Sequence, residues 1–166
     1  MPASSTRERI ESALATSYTI VRELGGGGMP TYSILEGVTL NNVPIEQVGA
    51  AFNHQLITTL LRNRYGFQGI VLTDWAVTND CAEACRNGAP QGERPSFASV
   101  ATPWGVENLS KVDRFAKAVN AGVDQFGGTE EANYVVDAVN AGKIDRKRVH
   151  ASDCAANASF SSMTSI

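Results

Sequence analysis

Excess charge of one sign, cysteine and aromatic side chains are all scarce here, and each scarcity excludes something. Lys and Arg number 14 against 17 Asp and Glu, a formal net charge of −3, so no basic surface calls for nucleic acid or an anionic membrane as partner. Apolar runs stay far below the ~20 residues that span a bilayer. The opening MPASSTRERIESALATS lacks the apolar core of a secretory signal, which makes the cytoplasm the expected location. Aromatics reach only 7%, so the core must be mostly aliphatic. Three cysteines, Cys81, Cys85 and Cys154, cannot build a disulfide framework. A zinc site at Cys81 and Cys85 would need two more ligands, and His54 and His150 are the only histidines. Ordinary thiols and no metal or cofactor are expected. What remains is 166 residues, 43% hydrophobic and 19% charged, which suits one globular domain and argues against disorder.

Apolar spacing then sketches the elements. Thr6 to Leu24 carries Ile10, Leu14, Tyr18 and Val21 on one stripe and reads as a helix. Gly25 to Gly28 stops it as a flexible turn; no Gly-Lys-Ser/Thr follows to make it a phosphate cradle. Met29 to Val38 reads as a strand end running into a loop, and Asn41, Asn42 and Pro44 mark a turn. Val48, Phe52, Leu56 and Leu60 recur every four residues, which predicts a helix over 45–64 closed by Gly66. In FQGIVLTDW the consecutive Ile70, Val71 and Leu72 predict a strand buried on both faces. About thirty-five loop-like residues follow, and long irregular loops in compact domains are usually functional. Ser110 caps a helix that ends at Gly122, Val123 to Gly128 forms a strand, and Thr129 caps a last helix ending at Gly142.

Strands separated by helices imply right-handed crossovers and a parallel α/β sheet, with strands near 29–34, 68–74 and 123–127. Leu56, Leu60, Ile70, Leu72, Phe115 and Val119 are its expected core. Chemistry in such sheets sits beyond the carboxyl ends of the strands, which places Tyr32, Asp74 and Gly127-Gly128 on one rim. Asp74 follows Ile-Val-Leu-Thr directly, and Trp75 beside it offers a flat apolar face. A carboxylate so placed can attack an anomeric carbon while the indole stacks on a sugar. An Asp at a strand end can equally cap the next loop, and from the residues alone both readings stand.

The segment GFQGIVLTDW resembles the nucleophile segment of glycoside hydrolase family 3, the β-glucosidase and β-xylosidase group. MPTYSILEGV, FNHQLITTLLRNRYGF and PWGVENLSKVDRFAKAVNAGVDQFGGTEE are similar to flanking parts of that family in the same order, so the resemblance covers about 29–148. It divides the chain into a weakly matching 1–28 with its Gly-rich turn, a partial glycosidase domain over 29–148 and a divergent polar tail over 149–166. It implies a truncated TIM-type (β/α)8 barrel, with about three parallel strands and flanking helices. It further implies a retaining hydrolase of β-linked glucosides or short oligosaccharides, with Asp74 as nucleophile and Tyr32 and Trp75 binding substrate. Asp124 matches an acidic position near the last strand and is read as structural.

The general acid/base has no matching residue. Glu107, in the long loop, ranks first among Glu107, Glu130, Glu131, Glu36 and Asp80. His54 lies on a helix and is read as a surface or packing residue. The alternative is a fragment that binds carbohydrate or serves as scaffold without catalysing; a small α/β domain with a phosphate ligand is a third reading. Because barrel strands expect neighbours on both sides, self-association is also expected.

Overall fold

A computed structural model describes residues 18–21, 27–30, 32–81, 83, 87, 91–94 and 103–163. Among the described residues the elements of a mixed α/β fold are β1 Tyr18–Val21, β2 Gly27–Pro30, β3 Thr39–Leu40, β4 Val43–Pro44, β5 Leu72–Trp75, α1 Lys111–Ala121, β6 Gln125–Gly127, α2 Ala132–Asn140 and α3 Arg146–Met163. A 3-10 turn at Ala50–Phe52 and a π-helix at Gln55–Arg64 precede β5. Among the described residues no helix is long and apolar enough to cross a membrane.

The three-stranded parallel core is not what forms. Among the described residues only β5 and β6 pair in parallel, Leu72 opposite Gln125 and Trp75 opposite Gly127, with an irregularity between. The first expected strand, β2, instead pairs antiparallel with β1 and lies beside β5. Tyr18–Val21 was expected to be helical, but its residues Tyr-Thr-Ile-Val are aromatic and β-branched and favour a strand once a partner exists. The partner is the glycine run itself, Gly27 and Gly28 facing Val21 and Ile20. The rest of that expected helix, Thr6 to Ser17 and Arg22 to Leu24, lies outside the described residues.

The expected helix over 45–64 is split. Gln55 accepts from the Glu46 N–H (2.8 Å), and Asn53 accepts from the Leu56 N–H (3.1 Å) while donating to the Glu46 carbonyl (2.9 Å). Asn53 thereby takes up two backbone groups, the Leu56 N–H and the Glu46 carbonyl, that an unbroken helix would have paired within itself. The helix that follows closes with wide turns, the Tyr65 N–H reaching the Leu60 carbonyl at 3.0 Å. Helix α1 begins at the expected cap, with Ser110 Oγ accepting from the Asp113 N–H at 3.2 Å. It ends at Gly122, φ +119°, where a Cβ would press on Ile57 and Thr58. Helix α2 starts at Ala132, three residues beyond Thr129, whose hydroxyl accepts from the Glu131 N–H. Residues 149–163, read from the sequence as tail, are helical as far as Met163.

Packing follows an aliphatic pattern. Phe52, Ile57, Leu61, Val71, Val77, Val106, Ala118 and Val123 form the main cluster between the π-helix, β5 and α1. Ile45, Ala50, Leu56 and Leu60 form a second cluster, and Ala116, Val119, Ala138 and Ile144 a third. Phe115 is buried as expected. Ile70 is only half-buried and Leu72 is 38% exposed, against the reading of a strand covered on both faces. With one hydrogen-bonded neighbour, β5 turns Val71 and Thr73 inward and Leu72 out.

Asp124 ties these layers. Its side chain is 2% exposed, and Arg62 Nη2 donates to its Oδ2 at 2.5 Å. Both Arg148 terminal nitrogens (3.1 Å each) and the Ser152 hydroxyl (3.0 Å) donate to Oδ1. The Val71 N–H donates to Oδ2 at 2.9 Å.

Two stability outcomes follow. Leu60→Ala should lower unfolding free energy by about 2–5 kcal/mol in urea melts, since the 4%-exposed side chain leaves a cavity. Asp124→Asn should cost about 3 kcal/mol, at the low end for breaking a buried ion pair because both arginines remain a quarter exposed. A loss below about 1 kcal/mol in either variant contradicts the packing described.

Candidate active site

The carboxyl end of β5 builds the site. Thr73 points inward, and its hydroxyl accepts from the Gly127 N–H at 2.9 Å, locking β5 to β6. Side chains alternate along a strand, so Asp74 is directed the other way and is half-buried. Its Oδ1 accepts from the Trp75 N–H at 2.8 Å. Ala76 then adopts a left-handed φ of +56°, uncommon for a residue with a Cβ, and its N–H donates to the Gly127 carbonyl at 3.1 Å. The chain turns away there and leaves Asp74 and Trp75 at the edge.

Trp75 is 61% exposed, the most exposed large apolar side chain among the described residues. One face of its indole rests on Gly128, φ +64°, where any Cβ would run into the ring. The other surface is open to a ligand.

Tyr32 joins the same edge. Its hydroxyl donates to the Trp75 carbonyl at 2.6 Å. Burial, then the negative charge of Asp74, then a hydrogen bond to that carboxylate push its pKa up to about 12. At neutral pH it is therefore a neutral phenol beside a carboxylate, a donor rather than a base.

The remaining candidates make contacts of their own. Glu107 Oε1 accepts from the Gly105 N–H at 3.0 Å. Asp80 pairs with Arg114 and Glu131 with Lys111, while Glu36, Glu130 and His54 are exposed. Cys81 is disulfide-bonded, which corrects the expectation of an ordinary thiol there, whereas exposed Cys154 is free. Among the described residues no cluster of three or more His, Cys, Asp or Glu could hold a metal. A cavity of about 460 Å3 lies elsewhere, between α2 and α3, lined by Val139, Arg146, Val149, His150 and Asp153.

Sequence reasoning missed Arg114. Arg114 shares an i, i+4, i+7 stripe with Ala118 and Ala121, and that pairing with small residues is the signal of a buried arginine. Gly128, placed on the rim from the sequence, lies against the Trp75 ring.

The Tyr32–Asp74 contact has a pH signature. A phenol whose folded pKa lies above its unfolded value near 10 keeps its proton longer when folded, so its contribution to stability is lost as pH rises from 10 towards 12. In a phenolate absorbance titration the last step should lie near pH 12, vanish in Tyr32→Phe and move down in Asp74→Asn. A last step unmoved by Asp74→Asn would mean the two groups do not interact.

No protein-family model matches the chain. It is 52% identical over 126 residues to the periplasmic beta-glucosidase/beta-xylosidase of Dickeya chrysanthemi, which covers 76% of this chain and 19% of that relative. It is 39% identical over 107 residues to beta-glucosidase C of Emericella nidulans, 64% of this chain and 16% of that one. The chain thus spans less than a fifth of the length of these relatives. Among solved structures, the zinc-bound CbsA of Thermotoga neapolitana aligns with a TM-score of 0.55 at 16% identity, covering 81% of this chain and 24% of that one. The beta-N-acetylglucosaminidase of Thermotoga maritima aligns with a TM-score of 0.50 at 19% identity, over 70% and 22%. These two share the fold alone. The chain is thus similar in sequence to one segment of beta-glucosidases and beta-xylosidases, and the solved structures add a shared fold.

Proposed function

We propose that this chain is a hydrolase of β-linked glucosides that works by a retaining double displacement, with Asp74 as nucleophile and its strands forming part of a (β/α)8 barrel. The observation that carries the reading is the grouping at the end of β5: a half-buried carboxylate, a neutral phenol that hydrogen-bonds beside it, and an open indole face. The names of the Dickeya and Emericella relatives support the substrate class. The parallel β5–β6 pair supports the barrel reading, since barrel chemistry sits at the carboxyl ends of such strands.

In this mechanism an Asp74 oxygen bonds to the anomeric carbon as the bond to the leaving oxygen breaks, and a second carboxyl group protonates that oxygen. Water, deprotonated by the same second group, then attacks the anomeric carbon and frees Asp74. Tyr32 donates near Asp74 and orients it, and Trp75 stacks on the apolar face of the sugar. Glu107 is the proposed acid/base. Retention needs the two carboxyl groups ~5–5.5 Å apart, so Glu107 must swing free of the Gly105 N–H to serve.

That same hydrogen bond favours a second reading, in which the chain binds carbohydrate without cleaving it. Hydrolysis of 4-nitrophenyl β-glucoside separates the two. The expected result is turnover by the wild type and a loss of about a thousandfold or more in Asp74→Asn, as for removal of other covalent nucleophiles. Turnover that survives Asp74→Asn refutes the nucleophile, and calorimetric binding without turnover selects the second reading.

A further inference from the structure

Two successive glycines end β6, and both meet the strand that carries Asp74. A Cβ on Gly127 would lie 2.6 Å from the Thr73 carbonyl oxygen and 3.3 Å from that of Asp74, so its absence lets β6 approach the Thr73–Asp74 peptide. Gly128 follows with a left-handed φ of +64°, and a Cβ there would run into Cε3 of Trp75 and lie 3.0 Å from its Cδ2. Other described glycines of positive φ face open space, as Gly142 does, or lie against buried side chains, as Gly122 does against Ile57. Gly128 differs in meeting an exposed ring, which can yield without opening the core. The backbone of Trp75 is already held on both sides: its N–H donates to Asp74 Oδ1 at 2.8 Å, and its carbonyl accepts from the Tyr32 hydroxyl at 2.6 Å. Rotation of the side chain is what those bonds leave free, and Gly128 limits it.

We infer that Gly128 is a positioning residue for the sugar site: its missing Cβ gives the Trp75 indole a seat beside Asp74, with the opposite face free for a glycoside ring. The inference rests on the stacking role of Trp75 under "Proposed function" and names what holds that ring in place. Gly128 touches no substrate; it acts through the indole. With a side chain at position 128 the indole must leave its seat. The strand beneath cannot shift instead, because the Gly127 N–H donates to Thr73 Oγ1 (2.9 Å) and the Ala76 N–H to the Gly127 carbonyl (3.1 Å). Stacking on the sugar is then lost while Asp74 stays where it is, so binding weakens and the chemical step is spared.

A double-mutant cycle on 4-nitrophenyl β-glucoside tests this. Gly128→Ala should raise KM about three- to tenfold, the strength of one aromatic contact, and change kcat less than about twofold. Gly128→Asn, whose new residue tolerates a left-handed φ, should do the same. Trp75→Ala should match them, and adding Gly128→Ala to it should raise KM by less than about 1.5-fold. Gly142→Ala brings the same backbone strain, at φ +68° with nothing within 4 Å of the added Cβ, and should leave KM unchanged. In NMR spectra of the wild type, Trp75 Hε3 should show a cross-peak to the Gly128 α-protons, and its resonance should move in Gly128→Ala but not in Gly142→Ala. Equal KM rises from Gly128→Ala with and without the indole, or an equal rise in Gly142→Ala, would overturn the positioning role. An absent cross-peak would overturn the seat. A wild type without turnover would overturn the proposed hydrolase; the same cycle read as calorimetric Kd then decides the positioning role, which falls if the glucoside does not bind.

Discussion

The buried carboxylate of Asp124 is the constraint on which the other contacts depend. One oxygen holds the π-helix through Arg62 and the backbone of β5 through Val71; the other holds α3 through Arg148 and Ser152. The Asp124 and Gln125 N–H groups return two bonds to the Val71 carbonyl, so Val71 is gripped from both sides. An exposed pair such as Lys117–Glu46 adds at most about 1 kcal/mol. A carboxylate that is 2% exposed and meets five donors is a different object: leaving any of its arginines unpaired costs several times that, about 3 kcal/mol or more. The price of desolvating it is met because every partner is already fixed by its own element.

From Val71 the constraint passes along β5. Thr73 continues it by accepting from Gly127, and the left-handed turn at Ala76 ends it. Between those two fixed points Asp74 and Trp75 have no freedom to rotate to the other face. Gly128 then supplies the floor on which the indole rests, and Tyr32 reaches in from the segment after β2 to hold the Trp75 carbonyl. The proposed chemistry uses side chains that the sheet holds in place, while its second carboxyl sits on a loop held by Arg114 alone among long charged side chains of the described residues.

Local signals in the sequence were readable where one element decided the outcome. The Ser110 cap, the Gly122 stop and the burial of Leu56, Leu60, Phe115 and Val119 follow from spacing alone. Tyr18–Val21 was misread because its stripe fits a helix while its β-branched residues wait for a partner that only the fold supplies. Leu72 was misread because apolar identity does not say how many strands will cover it. Asp74 stood out by position, but its role over that of a cap came from family resemblance. The bonds of Arg114 to Thr78 and those of Arg62 and Arg148 to Asp124 join residues 24 to 62 positions apart, and no periodicity encodes such meetings.

The account turns on Asp74 forming a bond to sugar. Intact-mass measurement after incubation with 2,4-dinitrophenyl 2-deoxy-2-fluoro-β-glucoside tests it most directly, because the fluorine slows release of a glycosyl-enzyme more than its formation. The account predicts one fluoroglucosyl group on the wild type, located at Asp74 by peptide mapping, and none on Asp74→Asn. A wild type that turns over glucoside yet carries no adduct, or carries it on another residue, would contradict it.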